Sequence, residues 1–208
     1  MALAEKLPGI IFVIIGPGGA GKNAIMKAVI AAIPALRQLA TATTRPMRAD
    51  EMQGREHLFV NEQRFQEMII RNELLEHQEV TPGKFYGIPR HTVMEVLTAG
   101  AARIADIEVL GAIELAAAYP QNVVQVFVTV PGDDIAQQLA LLEARMRSRA
   151  DEATDIEQRL ERARTLELPY QTRCDHIVVN DDLAQAIEAT AAIIRREMDE
   201  RQLQAVGP

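Results

Sequence analysis

Gly16-Pro17-Gly18-Gly19-Ala20-Gly21-Lys22-Asn23 is the stretch that decides the fold of this 208-residue chain. Before it runs Ile10-Ile11-Phe12-Val13-Ile14-Ile15, apolar and of strand length. After it runs Ala24-Ile25-Met26-Lys27-Ala28-Val29-Ile30, which reads as a helix. Strand, glycine loop and helix in that order make G-x-x-x-x-G-K a phosphate site rather than a text match. Glycines let successive backbone N–H groups turn toward one anion. The helix N-terminus adds partial positive charge, and Lys22 adds a mobile cation for outer phosphates. The usual Ser or Thr after the lysine, a Mg²⁺ ligand, is replaced by Asn23. The competing reading, a glycine-rich turn ahead of a helix, leaves the matching flanks to coincidence.

Composition bounds the rest. The chain is 48% hydrophobic and 25% charged, which suits one domain or a core with inserted lobes. A net charge of −7 argues against a duplex-binding surface, so no nucleic-acid partner is expected and any cationic site must be local. The single cysteine, Cys174, excludes an internal disulfide, fits a reducing compartment and reads as a spectator. The apolar runs are strand-length, so no membrane span is expected. Lys6 ahead of an apolar run faintly echoes a signal peptide, but that run is six residues long and ends in the phosphate loop, so it reads as a strand. A cytoplasmic location is the expectation.

Periodicity predicts strands at 10–15, 38–43, 57–60, 74–80 and 85–86, with a turn at 81–84. It predicts helices at 22–33 and from Asn61, whose side chain can cap a helix with Phe65, Met68 and Ile69 on its apolar face. Pro89 suits the first turn of a helix ending near Gly100. Strands at 101–107, 123–130 and 176–179 then alternate with helices at 109–118, from 134 behind an Asp133 cap, from 156, and at 183–198. The expected class is α/β, a parallel sheet flanked by helices. Two segments break the rhythm. Residues 45–88 read as a small α+β insertion, and 145–155 reads as a charged, aperiodic loop. Three arginines on alternate positions there, Arg145, Arg147 and Arg149, do not share one helical face.

A second chemical signal lies in Thr43-Thr44-Arg45-Pro46-Met47-Arg48-Ala49-Asp50-Glu51-Met52-Gln53-Gly54. Arg45 and Arg48 on a loop can converge on one phosphate, each with paired donors, and Glu51 can orient one of them. Alone, the stretch reads equally as a solvated basic loop.

Several motifs in order resemble guanylate kinase, the family that moves the γ-phosphoryl group of ATP onto GMP. The resemblance runs from about residue 10 to about residue 195. The glycine loop is similar to that family's phosphate loop. Thr44-Arg45-Pro46-Met47-Arg48 with Glu51 and Gly54 resembles its GMP-phosphate loop. Leu75-Glu76-His77 followed by Phe85-Tyr86-Gly87 resembles its base-binding strand and phosphate-binding tyrosine. Asp106-Ile107-Glu108 with Gly111 resembles its Asp-x-Asp-x-x-Gly segment. Arg145, Arg149 and Arg159 match its lid arginines, and Val178-Val179-Asn180-Asp181-Asp182-Leu183 is similar to its C-terminal strand end.

The resemblance implies a P-loop NTPase-type core at 1–44 and 89–208, an NMP-binding insertion at 45–88 and a lid at 145–157. It implies an ATP site of Gly16 to Asn23 with Asn180 at the adenine. It implies a GMP site of Thr41, Arg45, Arg48, Glu51, His57, Glu76, Tyr86, Asp106 and Glu108. The catalytic cations would be Lys22, Arg145, Arg149 and Arg159, with Mg²⁺ at Asn23 directly or through water. The partners would be ATP and GMP, acting in a monomer or homodimer. A carboxylate at Glu76 suits guanine, whose N1–H and amine donate side by side, and adenine would leave it unpaired. Glu76 also reads as a solvent-face strand residue, Thr41 as a plain strand threonine, and His57 as a half-buried strand histidine.

Several positions depart from the family pattern. Asn23 replaces Ser or Thr, His57 a tyrosine, Ile88 a Ser or Thr, Leu110 a Gln and Glu108 an Asp. The lid is about one residue short and the 76–86 turn about one long. Two alternatives follow: a related kinase acting on a ribose bisphosphate, whose relatives can carry a non-hydroxyl residue where Asn23 stands, and a non-catalytic guanylate-kinase-like domain that binds phosphopeptides.

Overall fold

The structure is a computed structural model that describes residues 7–148 and 153–205. Five strands form one sheet in the order β2-β7-β1-β8-β9, made of Leu36–Gln38 (β2), Ala102–Asp106 (β7), Ile10–Ile15 (β1), Val123–Thr129 (β8) and His176–Val179 (β9). β2 runs parallel to β7 with Leu36 opposite Ala102, and β8 runs parallel to β9 with Val126 opposite His176. All six side chains of β1 are buried, as a strand covered on both faces requires. This is the α/β class that the sequence predicts.

A second sheet has the order β4-β3-β6-β5, from His57–Phe59 (β4), Thr41–Thr43 (β3), Lys84–Pro89 (β6) and Leu74–Thr81 (β5). The single strand expected at 38–43 is therefore two strands in two sheets, parted at Leu39 and Ala40. Helix α2 (Glu62–Ile70) is capped by Asn61, whose side chain accepts from the Arg64 N–H as predicted. Phe65 and Met68 of α2 bury against Ala42 and Leu74, with Leu58, Val60, Ile69 and Phe85 packed around them. Each such side chain contributes roughly 1.5–3 kcal/mol.

The remaining helices are α1 (Lys22–Ala32), α3 (Arg90–Thr98), α4 (Val109–Ala118), α5 (Ile135–Ser148), α6 (Ala153–Arg162), α7 (Leu168–Tyr170) and α8 (Leu183–Ala205). Pro89 closes β6 and caps α3 rather than entering its first turn. The α5 cap is Asp134, not Asp133. Asp134 Oδ1 accepts from the Gln137 N–H, while the Gln137 side chain accepts from the Asp133 N–H.

The larger correction concerns 145–148, which is helix and not loop. Leu139, Leu142 and Met146 continue one buried face to the end of α5, and Arg147 pairs outward with Glu143 one turn back at 2.7 Å. Helix resumes at Ala153, three residues before its predicted start, and the rest of the predicted loop, Arg149 included, lies outside the described residues. A π turn (Ala163–Glu167) then links α6 to α7.

The described residues divide into two compact units. One comprises 7–11, 35–105 and 110–123; the other comprises 12–34, 106–109 and 124–205.

Candidate active site

In the second unit the glycine loop takes a shape that favours glycine, most sharply at its two ends. Gly16 has φ +143°, and a Cβ there would lie 2.0 Å from the Val128 carbonyl oxygen. Gly21 has φ +96°, and a Cβ there would lie 2.3 Å from Asn180 Nδ2. Gly21 is also the N-cap of α1, so Lys22 and Asn23 open that helix. Lys22 Nζ donates to the Gly16 carbonyl at 2.6 Å, curled over the loop in which phosphate oxygens are natural acceptors. Asn23 is exposed at the same helix end.

Asn180 is 5% exposed and pins the loop from the side. Its Nδ2 donates to the Ala20 carbonyl at 2.7 Å, and its own carbonyl accepts from Arg145 Nη2 at 2.9 Å. Arg159 packs against the loop as well: its Cδ lies 3.3 Å from where a Gly18 Cβ would sit.

Carboxylates lie near Lys22. The pKa of Asp106, at the end of β7, is raised by loss of water, with Lys22 opposing and Glu108 adding a lesser rise. Glu108 is ion-paired with Arg162. Glu167, 6% exposed in the π turn, is pushed up to about 7 by burial, with Lys22 and Arg162 opposing and Glu108 and Asp106 adding to the rise. Glu167 and Arg162 were not singled out by the sequence. Glu167 sits between leucines in a helical pattern and carries no motif. The spacing of Arg159 and Arg162, one turn apart, is the signal that was available.

The first unit assembles the other predicted group. Arg45 and Glu51 form a two-pronged pair, Nη1 to Oε2 at 2.6 Å and Nη2 to Oε1 at 2.5 Å. The Arg48 N–H also donates to Glu51 at 2.8 Å. Those bonds, the Arg45 pair first, hold the Glu51 carboxyl down at about 2. The Arg45 guanidinium lies over the Phe59 ring at 5.4 Å. The loop carrying it starts from a fixed point, since Thr43 Oγ1 donates to the Phe85 carbonyl at 3.0 Å and Thr44 Oγ1 accepts from the Phe85 N–H at 2.9 Å. Arg48 has an exposed side chain beside this group.

Tyr86 and His57 stand next to it, their rings 6.1 Å apart. Thr41 Oγ1 and His57 Nδ1 are hydrogen-bonded at 2.8 Å. Burial, and then Arg45, lower the His57 pKa, so the imidazole is neutral at pH 7 and supplies a hydrogen bond rather than a charge. Glu76 is half-buried on β5, where the pairing with β6 shifts register between Leu74 and His77. Such an irregularity re-aims side chains. Ile88 is 2% exposed and belongs to the core. Burial pushes the Cys174 thiol up to about 12, in keeping with a spectator.

Two anion-ready groups thus sit in one chain: a glycine loop with its lysine, and an arginine clamp with a tyrosine. A family model described as guanylate kinase matches residues 10–197. The chain belongs to the guanylate kinase family.

It is 37% identical to a guanylate kinase of Bradyrhizobium diazoefficiens over 96% of this chain and 89% of that one. It is 38% identical to a guanylate kinase of Gloeobacter violaceus over 90% and 88% of the two chains. The crystal structure of guanylate kinase from Anaplasma phagocytophilum superposes with a TM-score of 0.67 at 25% identity, covering 93% of this chain and 88% of that one. As a guanylate kinase family member, this chain is a phosphoryl-transferring enzyme with a P-loop fold. Among the described residues no helix is long and apolar enough to cross a membrane.

Proposed function

We propose that this enzyme transfers the γ-phosphoryl group of ATP to the phosphate of GMP or dGMP, giving ADP and GDP or dGDP. The observation that carries the reading is the Arg45–Glu51 clamp beside Tyr86 and His57, in the same chain as Lys22 on its glycine loop. A kinase acting on a phosphate needs both a donor cradle and an acceptor cradle.

In this reading the backbone of Gly16, Pro17, Gly18, Gly19, Ala20 and Gly21 holds the ATP phosphates. Lys22 leaves the Gly16 carbonyl for the outer phosphates, and Asn180 keeps the loop in shape. Arg45, Arg48, Tyr86 and His57 hold the GMP phosphate, and Glu51 keeps Arg45 aimed. Glu76 accepts the guanine N1–H and amine, with Thr41 near the base. Asp106 serves GMP binding in this reading. An oxygen of the GMP phosphate attacks the γ-phosphorus, the bond to the ADP oxygen breaks, and charge moves onto ADP. Positioning and cations carry most of such a reaction. Arg145, Arg149 and Arg159 supply those cations, and closure of the 145–157 segment excludes water so that ATP is not hydrolysed.

Mg²⁺ fits the donor set. It takes oxygen ligands, keeps several waters and relies on substrate phosphates more than on a protein cage. Among the described residues no cluster of three His, Cys, Asp or Glu side chains forms such a cage, while Asn23 offers an exposed amide oxygen at the loop. When bound, the ion neutralises phosphate charge. The cytoplasm, where both nucleotides are made and used, suits this work.

Asn23 favours one second reading, a relative that phosphorylates a ribose bisphosphate. Coupled turnover with ATP against GMP, dGMP, AMP, UMP, CMP and ribose bisphosphate separates the two. GMP and dGMP are expected to be the preferred acceptors. Turnover of the sugar phosphate with none of GMP would overturn the proposal. Binding of GMP without turnover of any acceptor would point to a binding domain instead.

A further inference from the structure

Arg162 takes part in none of the roles above, yet it is framed by two carboxylates, Glu108 and Glu167. It lies on α6 and ion-pairs through Nη2 with Glu108, which follows the end of β7. Its Nε is buried and makes no hydrogen bond among the described residues. Glu167 Oε1 stands 3.7 Å from that Nε, an ion pair beyond hydrogen-bond reach. Glu167 is 6% exposed and comes from the π turn that follows α6 directly. Arg162 therefore ties α6 to the 106–108 segment on one side and to the π turn on the other. One helical turn earlier on α6 is Arg159, the arginine whose stem packs against Gly18 of the phosphate loop.

We propose that Arg162 is a positioning residue for phosphoryl transfer: through Glu108 and Glu167 it fixes the placement of α6, and so sets Arg159 over the phosphate loop. Glu108 then acts for the donor side, holding an arginine, rather than reading the acceptor base. This rests on the kinase reading. It also explains why Glu108 is long enough to be useful: the added methylene extends its carboxylate toward a helix that a shorter acid would reach less easily.

The test compares Arg162→Ala, Arg162→Lys, Glu108→Gln and the Arg162→Ala/Glu108→Gln double variant with the parent. Steady-state kinetics with ATP and GMP are measured alongside amide hydrogen exchange of α6. Misplacing a catalytic group by about an ångström can cost roughly 100-fold, so Arg162→Ala is expected to lower kcat by roughly ten- to hundredfold while KM for GMP stays within about twofold. Glu108→Gln should do the same, the double variant should lose no more than either single one, and Arg162→Lys should recover part of the loss. The amides of α6 should exchange faster in Arg162→Ala. Unchanged kcat and unchanged exchange in Arg162→Ala would overturn the proposal. So would a Glu108→Gln variant that raises KM for GMP and keeps kcat, because Glu108 would then serve the base. If the parent shows no turnover with GMP, the kinase reading fails by itself, and the exchange comparison still decides whether Arg162 fixes α6.

Discussion

The Asn180 side chain donates to the Ala20 carbonyl at 2.7 Å, tying the start of α8's approach to the phosphate loop. The same residue's carbonyl accepts from Arg145. The amide is thus committed to the loop, a structural role beside any contact with adenine. Removing it leaves the buried Ala20 carbonyl without this donor, which costs about 1–3 kcal/mol. Asn180→Ala is expected to lose that much in urea unfolding and to raise KM for ATP with little effect on KM for GMP. Full stability with unchanged KM for ATP would show that the loop holds its shape without the amide.

The Arg45–Glu51 clamp makes a prediction for the acceptor phosphate. Glu51→Gln keeps the shape but removes the charge that aims Arg45, so KM for GMP should rise roughly tenfold, as for loss of a charge-assisted bond of about 1.5 kcal/mol or more. KM for ATP should stay near the parent value. The pH dependence has a definite sign. Glu51 is held at about 2 in the fold and titrates near 4.5 when unfolded, so its contribution is full above about pH 4.5 and is lost as pH falls toward 2. Acid unfolding of Glu51→Gln should show a shallower loss across that window. Identical acid profiles would mean that the pair is not formed in solution.

Guanine preference should depend on Glu76. Glu76→Gln keeps one acceptor oxygen and replaces the other with an amide N–H₂ donor, which cannot accept from a guanine donor. The ratio of kcat/KM for GMP over AMP should fall by at least tenfold, with smaller change in turnover of the poor acceptors. A ratio that does not move would take Glu76 out of the base site.

Glu167 gives a prediction of opposite sign to Glu51. Its carboxyl is raised to about 7 in the fold, against 4.5 as the ordinary value. Burial disfavours the charged form, so between about pH 4.5 and 7 the native state binds more protons than the unfolded one. Stability should fall through that window as pH rises, by up to about 3 kcal/mol. Glu167→Gln should flatten the profile, gaining on the parent at pH 8 relative to pH 5. Parallel unfolding profiles of parent and variant from pH 4.5 to 8 would show that the carboxylate is ionised throughout.

How much of this was legible in the sequence follows from where local pattern dominates. β1, the glycine loop and α1 are legible because an apolar run, positive-φ glycines and a helical period each leave a local mark. The Asn61 cap and the Arg45–Glu51 pair are legible for the same reason, since partners lie three and six residues apart. The break at Leu39 and Ala40 is not, because both residues are apolar and buried as strand residues are, with no Gly or Pro to mark the point where the chain changes sheets. The helical state of Arg145 to Ser148 was hidden by counting charges. Met146 alone carries the buried face there, and it is read correctly only as the continuation of Leu139 and Leu142. Glu167 is buried by a π turn, and a shift of helical phase leaves no mark in residue type.

Transfer of phosphate from ATP to GMP is tested by following the phosphorus itself. ATP labelled at the γ-phosphorus is incubated with GMP, and the products are resolved for the parent and for Lys22→Ala. Removing one transition-state cation is expected to cost about 10³-fold or more. Label is expected in the β-phosphate of GDP, with one ADP for each GDP, and that transfer is expected to be lost in Lys22→Ala with GMP binding retained. Label that appears only as free phosphate while GMP is unchanged, or equal transfer by Lys22→Ala, would contradict it.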